Sequence, residues 1–390
     1  MLTKVHSKKL GELCSIIDCE HKTAPTQEEG IPLIRTPNIG QGRLILDKVQ
    51  RISESTFSKW TRRGEPMPGD LIMAREAPVG NVGLIVSGQR VCLGQRTVLI
   101  RVTSDELDPA FLAYLLNSPT VKGYIVLLST GATVGHLNVT DIRKLSLPPL
   151  PPIATQRKIA AILTAYDDLI ETNKRRIALL EKMAEEIYRE WFVRLRFPGY
   201  QNTKFVKGIP EGWEVKRLDA ILELAYGKAL KEADREAGKF YVYGSGGIIG
   251  SHSKALVENP GIIVGRKGNV GAVYFSDRGF FPIDTVFYVV SKLPLTYLFF
   301  LLRSMNFINN DAAVPGLNRK QAYSNQFFYP GIELITKFSN LISPIFDLKY
   351  QLQQQNENLT KTRDLLLPRL ISGKLSVEHL DIQTPPSMTP

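Results

Sequence analysis

Residues 159–191 read IAAILTAYDDLIETNKRRIALLEKMAEEIYREW, and the spacing within this stretch decides the architecture. Ile159, Ile162, Tyr166, Ile170, Asn173, Ile177, Leu180, Ala184, Ile187 and Trp191 succeed one another at intervals of three and four, which is the seam of a coiled-coil helix. Charged residues, Arg157, Lys158, Asp167, Asp168, Lys174, Arg175, Glu181 and Glu185 among them, fill the other faces, as solvated surfaces. At 1.5 Å per residue such a helix is on the order of 60 Å long, more than one domain needs for its own core.

A second seam follows near the other end of the chain. Phe338, Ile342, Ile345, Lys349, Leu352, Asn356, Leu359, Arg363, Leu366 and Leu370 repeat the same spacing. Pro344 interrupts it near its start and predicts either a kink or a helix that begins there. Laying Ile159 on Ile342 brings Asn173 onto Asn356, and a polar Asn in an apolar seam specifies register at a cost in stability. Two arrangements compete. Either the helices pair with each other, or each packs on its own domain and leaves its Asn partly solvated. Pairing is favoured, because self-packing leaves half of each helix uncovered.

Working outward, Leu147-Pro148-Pro149-Leu150-Pro151-Pro152 is a stiff extended segment ahead of the first helix. Upstream of it, short β-type runs (Leu71–Met73, Thr97–Ile100) mix with a helix opening at Pro109. Phe197-Pro198-Gly199 ends the first long helix, and another region of short strands follows: Lys239–Tyr243, Ile262–Val264, Ala272–Phe275 and Thr285–Val290. The fold class is therefore α+β, two globular domains separated by two long helices that pair with each other as a coiled coil. The divisions expected are 1–150, 151–197, 198–331 and 332–376, with a Pro-, Ser- and Thr-rich tail over 377–390 that lacks the makings of a core.

The globular parts share local signals. Gly80-Asn81-Val82-Gly83 follows Arg75, and Gly268-Asn269-Val270-Gly271 follows Arg266. A Val-x-x-Leu-Asn element spans Val134 to Asn138 in one and Val314 to Asn318 in the other. Internal repetition at this scale implies two similar surfaces, suited to a target made of two parts.

The 390 residues carry a formal net charge of +11, which favours a polyanionic partner and above all nucleic acid. Three cysteines, Cys14, Cys19 and Cys92, are too few for a disulfide framework and point to a reducing compartment. No signal-like segment opens the chain and no apolar run approaches the ~20 residues a bilayer requires, so a cytoplasmic protein without membrane association is expected.

The ordered set of motifs resembles the specificity subunits of type I restriction-modification systems. Leu147–Pro152 leading into Gln156-Arg157-Lys158-Ile159, with Ile170-Glu171-Thr172-Asn173 and Glu190-Trp191-Phe192, is similar to that family's central spacer. Pro210-Glu211-Gly212-Trp213 before Val215-Lys216-Arg217-Leu218 resembles the start of its second target-recognition domain. Pro68-Gly69-Asp70, Arg75-Glu76-Ala77-Pro78 and Leu93-Gly94-Gln95-Arg96 resemble the core of its first. Leu365 to Leu375 resembles the end of its distal spacer. The second domain has Arg266-Lys267-Gly268 where the first has Arg75 to Gly80, so the two loops should differ in shape. The second spacer has only Pro330 in place of the proline run.

The resemblance implies a DNA-reading subunit that has no chemistry of its own. Each domain would read one half of a bipartite site in double-stranded DNA, and the two helices, pairing as an antiparallel coiled coil, would set the gap. Two adenine methyltransferase subunits carrying S-adenosylmethionine would dock on it, and motor-nuclease subunits would join for restriction. The residues themselves agree with a role in binding. There is no Gly-rich cofactor loop, no Asn/Asp-Pro-Pro-aromatic segment and no Gly-x4-Gly-Lys-Ser/Thr loop; Gly244 to Gly250 lacks the lysine and reads as a turn. Cys14, Cys19 and His21 lack the fourth ligand of a closed zinc site, so no metal is expected. His136 reads as a loop or interface residue.

For DNA contact the candidates are cationic and amide side chains on glycine-flanked loops, since Arg suits guanine and Asn suits adenine. They are Arg62, Arg63, Arg75, Asn81 and Arg96 in the first domain. In the second they are Lys228, Lys231, Arg266, Lys267, Asn269, Arg319 and Lys320. Phosphate contact competes with base contact at each of them. The Gly-Asn-Val-Gly elements read equally as repeated tight turns. The rival function is a tandem-domain coiled-coil scaffold with incidental basic charge.

Overall fold

Both heptad stretches form single long helices in the computed structural model, which describes residues 7–129, 135–307 and 316–383. The first runs Ile153–Tyr188, 36 residues, and continues as a wider turn over Arg189–Val193. Its start is tied down by Gln156, whose amide donates to the carbonyls of Glu106 and Pro151 and accepts from the Asp108 N–H. The second long helix runs Ile332–Ile371, 40 residues. It begins well before Pro344, so the expectation that the helix starts at that proline is corrected. The proline ring sits on an exposed face, and the Phe338–Ile342–Ile345 seam passes it.

Contacts divide the chain into a first unit, residues 1–172 with 355–390, and a second, residues 173–354. Each long helix contributes to both.

In the first unit a five-stranded sheet has the order Cys14–Asp18, Thr97–Val102, Leu71–Ala74, Val82–Leu84, Gly42–Arg43. Its last pair is parallel and the others are antiparallel. A smaller sheet joins Arg51–Ile52, Ile31–Ile34 and Cys92–Leu93, the last two in parallel. Helix Pro109–Asn117 is capped by Asp108, which accepts from the Phe111 N–H, and its apolar residues from Ala110 to Leu116 are all buried. Phe111, Leu115, Met73, Ile100, Ile159, Leu163 and Leu370 belong to one core. Here the two long helices run antiparallel. Asp167 meets Arg363, and one turn further on Asn356 Nδ2 donates to the Ile170 carbonyl at 3.4 Å. Asp167 is therefore a correction to the solvated face expected for it: it is buried, 5% exposed. The heptad pattern accounts for the helix–helix seam, but this helix also packs on the domain beside it.

The second unit repeats the plan. Its main sheet runs Glu223–Tyr226, Val286–Val290, Gly261–Gly265, Val273–Ser276, all antiparallel. Its small sheet joins Gly247–His252, Phe240–Gly244 and Phe280–Pro282, again with one parallel pair. The glycine-rich Gly244–Gly250 stretch is a hairpin turn, with Gly247 at φ +102°. Strand Glu214–Arg217 pairs with Gln326–Tyr329 where the chain enters and leaves the domain. The core is aromatic: Tyr188, Phe192, Tyr297 and Phe300 surround Phe338, with ring centroids 5.1–6.5 Å away. Lys349 Nζ reaches Glu181 Oε1 at 2.6 Å between the helices. Along the seams Ile159, Ile170, Asn173, Ile342 and Leu352 are buried, and Ile162, Tyr166, Ile177, Leu180, Ile345, Asn356, Leu359 and Leu366 are half-buried. Asn173 is fully buried rather than partly solvated.

Among the described residues no single helix is long and apolar enough to cross a membrane. Half of the 377–390 tail, residues 384–390, lies outside the described residues. The expectation of a tail without a core is corrected for the other half, where Val377 is buried in the first unit's core and Lys158 Nζ donates to the carbonyls of Glu378 and Leu380.

Candidate nucleic-acid interface

In each unit the third and fourth strands in the order of the main sheet are joined by a hairpin loop, and the two loops close alike. In the first, the Ala74 N–H donates to the Asn81 carbonyl at 2.9 Å and the Gly80 N–H to the Ala74 carbonyl at 2.9 Å. In the second, Gly265 donates to Ala272 at 2.7 Å and Gly271 to Gly265 at 2.9 Å. Gly80 and Gly271 have φ of +75° and +76°, a left-handed conformation that favours glycine. A Cβ at either would also collide, with Ile125 at 2.6 Å or Phe307 at 2.8 Å.

Gly80 thus corresponds to Gly271 and Arg75 to Arg266. The repeat is Arg-x3-Val-Gly, with loops of equal length. The interiors differ in shape as expected, with a cis Ala77–Pro78 peptide in the first loop where the second has Gly268 at φ +76°, while the matching ends show the two Gly-Asn-Val-Gly stretches to be out of register by three residues. The Arg75 N–H donates to the Arg96 carbonyl at 2.9 Å and the Arg266 N–H to the Thr285 carbonyl at 2.9 Å. The Leu137 N–H returns to Arg75 at 3.0 Å and the Leu317 N–H to Arg266 at 2.7 Å. Asn138 and Asn318 then precede the short helices Val139–Lys144 and Arg319–Ser324. The Leu-Asn part of the second repeated element therefore matches, while Val134 and Val314 lie outside the described residues.

On this common backbone the side chains do opposite things. Arg75 is 6% exposed. Its Nε donates to the Leu137 carbonyl at 2.8 Å, Nη1 to Asp18 Oδ1 at 3.0 Å and Nη2 to His136 Nε2 at 3.0 Å. With Nε2 accepting from Arg75, the His136 Nδ1–H donates to Glu76 Oε1 at 3.2 Å. The other Glu76 oxygen holds Arg96 Nε at 3.0 Å. Arg75 is committed to the interior, and Arg96 pairs with Glu76 at the rim. His136 is the loop residue the sequence suggested.

In the second unit the counterpart of Asp18 is Tyr226: they lie opposite Val98 and Phe287, which match when Ala74 is laid on Gly265. Tyr226 is 50% exposed, and two guanidinium groups cover its ring, Arg266 at 5.2 Å and Arg319 at 5.2 Å. Arg266 Nη1 also donates to the Asp284 carbonyl at 3.1 Å. Lys267, where the first unit has Glu76, is exposed, as are Asn269, Lys228, Lys231 and Lys320. The structure thus gathers Arg266 and Arg319 over one aromatic ring, with the exposed Lys267 next along the loop. Guanidinium is weakly hydrated and stacks well, and its remaining N–H groups can grip a phosphate or a guanine edge.

The remaining candidates of the first unit divide. Arg62 is exposed beyond helix Glu54–Trp60. Arg63 is exposed but donates to the Cys19 carbonyl at 2.9 Å. Asn81 is buried, donates to the Ile39 carbonyl at 3.0 Å and accepts from Lys122 Nζ, so its amide serves the scaffold. Sequence reasoning missed Tyr226; an aromatic residue directly ahead of Gly227-Lys228 was the available signal.

Asp18, Cys19 and His21 bring three possible ligand atoms within 4.8 Å of one another, without Cys14. The Arg75 guanidinium on Asp18 opposes a cation there, and burial pushes the Cys19 thiol up, away from the thiolate a metal needs. These residues do not make a favourable metal site.

The family model of the type I restriction modification DNA specificity domain matches residues 3–182 and again 210–327. The MjaIX type I restriction enzyme specificity subunit of Methanocaldococcus jannaschii is 27% identical over 365 residues, covering 85% of this chain and 83% of its own. The HindI specificity subunit of Haemophilus influenzae is 22% identical, covering 79% and 86%. Among solved structures, the type I restriction-modification S subunit of M. genitalium superposes with a TM-score of 0.57 at 18% identity, covering 94% of this chain and 95% of that one. That likeness is one of fold.

Proposed function

The chain belongs to the type I restriction-modification DNA specificity family, and from that premise we propose that it directs a methylating and restricting complex to a split DNA site. Each globular domain reads one half-site, and the antiparallel helices hold the gap between them. The observation that carries this reading is the repeated Arg-x3-Val-Gly loop, whose length, closing hydrogen bonds and left-handed glycine are shared while its side chains are not. A shared scaffold presents the same kind of surface twice, and different side chains read different bases.

The chain itself carries out no reaction. Its partners in this reading are double-stranded DNA, two methyltransferase subunits that carry S-adenosylmethionine, and motor-nuclease subunits for cleavage. The Tyr226–Arg266–Arg319 cluster with Lys267 is the contact surface proposed in the second domain; Arg62 and Arg96 flank the first. The test is to express the chain with its methyltransferase partner and sequence the modified DNA. Methylation at two short half-sites separated by a fixed gap supports the proposal. Methylation at one continuous short site overturns it.

A further inference from the structure

Besides the Arg75–Asp18 pair of the first hairpin loop, another ion pair is buried at the root of the first domain. Asp167, on the first long helix, faces helix Pro109–Asn117 and accepts from the Tyr114 hydroxyl at 2.7 Å. Its other oxygen accepts from Arg363 Nη1, on the second long helix. Tyr114 Oη also lies 3.3 Å from Thr164 Oγ1. Burial, and then the charge of Asp167, push the Tyr114 phenol well above its ordinary range, so it keeps its proton and stays a donor. Arg363 spends Nε and Nη2 on Asp364 at 3.0 and 2.8 Å. Gly42, at the sheet edge, closes over the node: a Cβ there would meet Tyr114 at 3.2 Å and Asp167 Oδ2 at 3.3 Å. The adjoining Arg43 pairs with Asp168. The domain helix, the edge strand and both long helices therefore converge on one carboxylate.

The second unit solves the same problem differently. Ser118 and Ser304 each bond back to the carbonyl three residues earlier, which matches the two domain helices and sets Phe300 where Tyr114 stands. Phe300 has no hydroxyl and packs on Tyr188, Phe338 and Phe346. With Ile159 laid on Ile342, Tyr350 takes the place of Asp167 and Leu180 that of Arg363. Apolar packing is non-directional and tolerates small slides. A buried, hydrogen-bonded ion pair is satisfied in one register only, and adds little net stability against an apolar substitute.

We infer that Asp167, held by Tyr114 and Arg363, is a positioning residue that fixes the seat of the first recognition domain on the helices and so confines the split DNA target to a single gap length. This rests on the reading of the helices as a ruler. The test uses the full complex and modified-base sequencing, with Tyr114→Phe, Asp167→Asn and the apolar pair Asp167→Leu with Arg363→Met. Half-site sequences should stay unchanged in all three. A second gap length, differing by a base pair, should appear in about a tenth of modified sites, most often in the apolar pair, whose melting temperature matches the wild type. A single unchanged gap in Tyr114→Phe and in the apolar pair overturns the inference. If the wild-type complex shows no split site at all, the ruler reading fails instead, and the two failures are distinct.

Discussion

The loops after Arg75 and Arg266 have the same length, the same closing hydrogen bonds and the same left-handed glycine, yet they carry opposite electrostatics. In the first, Asp18, Glu76 and His136 surround Arg75 and Arg96. In the second, the aspartate has become Tyr226 and the glutamate an exposed Lys267, and the half-buried Arg266 and Arg319 lie over the Tyr226 ring. One arginine holds a domain together, and its counterpart is available to a ligand. A repeated motif therefore does not have one repeated role.

That contrast can be broken experimentally. The largest effect belongs to the aromatic core of the second unit: Phe338→Ala should cost about 4 kcal/mol in denaturant unfolding followed by Trp191 and Trp213 fluorescence. Arg75→Ala should cost the first unit about 3 kcal/mol, because it removes a buried guanidinium that bonds Asp18 Oδ1, the Leu137 carbonyl and His136 at once. Arg266→Ala should cost no more than ~1 kcal/mol, the size of an exposed cation–π contact. Equal costs for the two arginines would end the comparison.

The salt dependence of DNA binding sharpens it. Lys267→Ala should reduce the log–log slope by about one, and Glu76→Lys, which imports the residue of the second loop, should increase it by about one. Unchanged slopes would place both loops away from DNA. The smallest signal is chemical. Cys14, Cys19 and Cys92 all belong to the first unit and are buried; burial pushes Cys14 and Cys92 up to about 12 and raises Cys19 as well. A thiol pKa raised by folding leaves the native protein without thiolate at pH 8. An alkylating reagent should then label none of the three until the first unit opens, in Arg75→Ala at lower denaturant than in Phe338→Ala. Rapid labelling of the native protein would contradict the burial.

The long helices and their seams were legible because a period sustained over many turns leaves few alternatives, and the seam passes Pro344 without a break. The duplicated loops were legible in kind but not in register. Gly-Asn-Val-Gly occurs twice, but Gly80 closes its hairpin with the first glycine of that string and Gly271 with the last. Only backbone hydrogen bonds reveal the offset. A heptad describes the surface between two helices and says nothing of a third neighbour, so the pattern puts Asp167 on a solvated face. Arg75 reads as a DNA contact in sequence because its partners Asp18 and His136 are 57 and 61 residues away. Tyr226 is silent in sequence for the same reason: its meaning comes from Arg266 and Arg319, which only folding brings to it.

The central claim is that the two domains share a scaffold and differ in what their loops read. The most direct measurement is modified-base sequencing of cells carrying the wild-type complex or the Tyr226→Ala, Arg266→Ala double variant. The account predicts that one half-site becomes degenerate or is lost, while the other half-site and the gap persist wherever methylation remains. Degeneracy of both half-sites together, or an unchanged site, would contradict it.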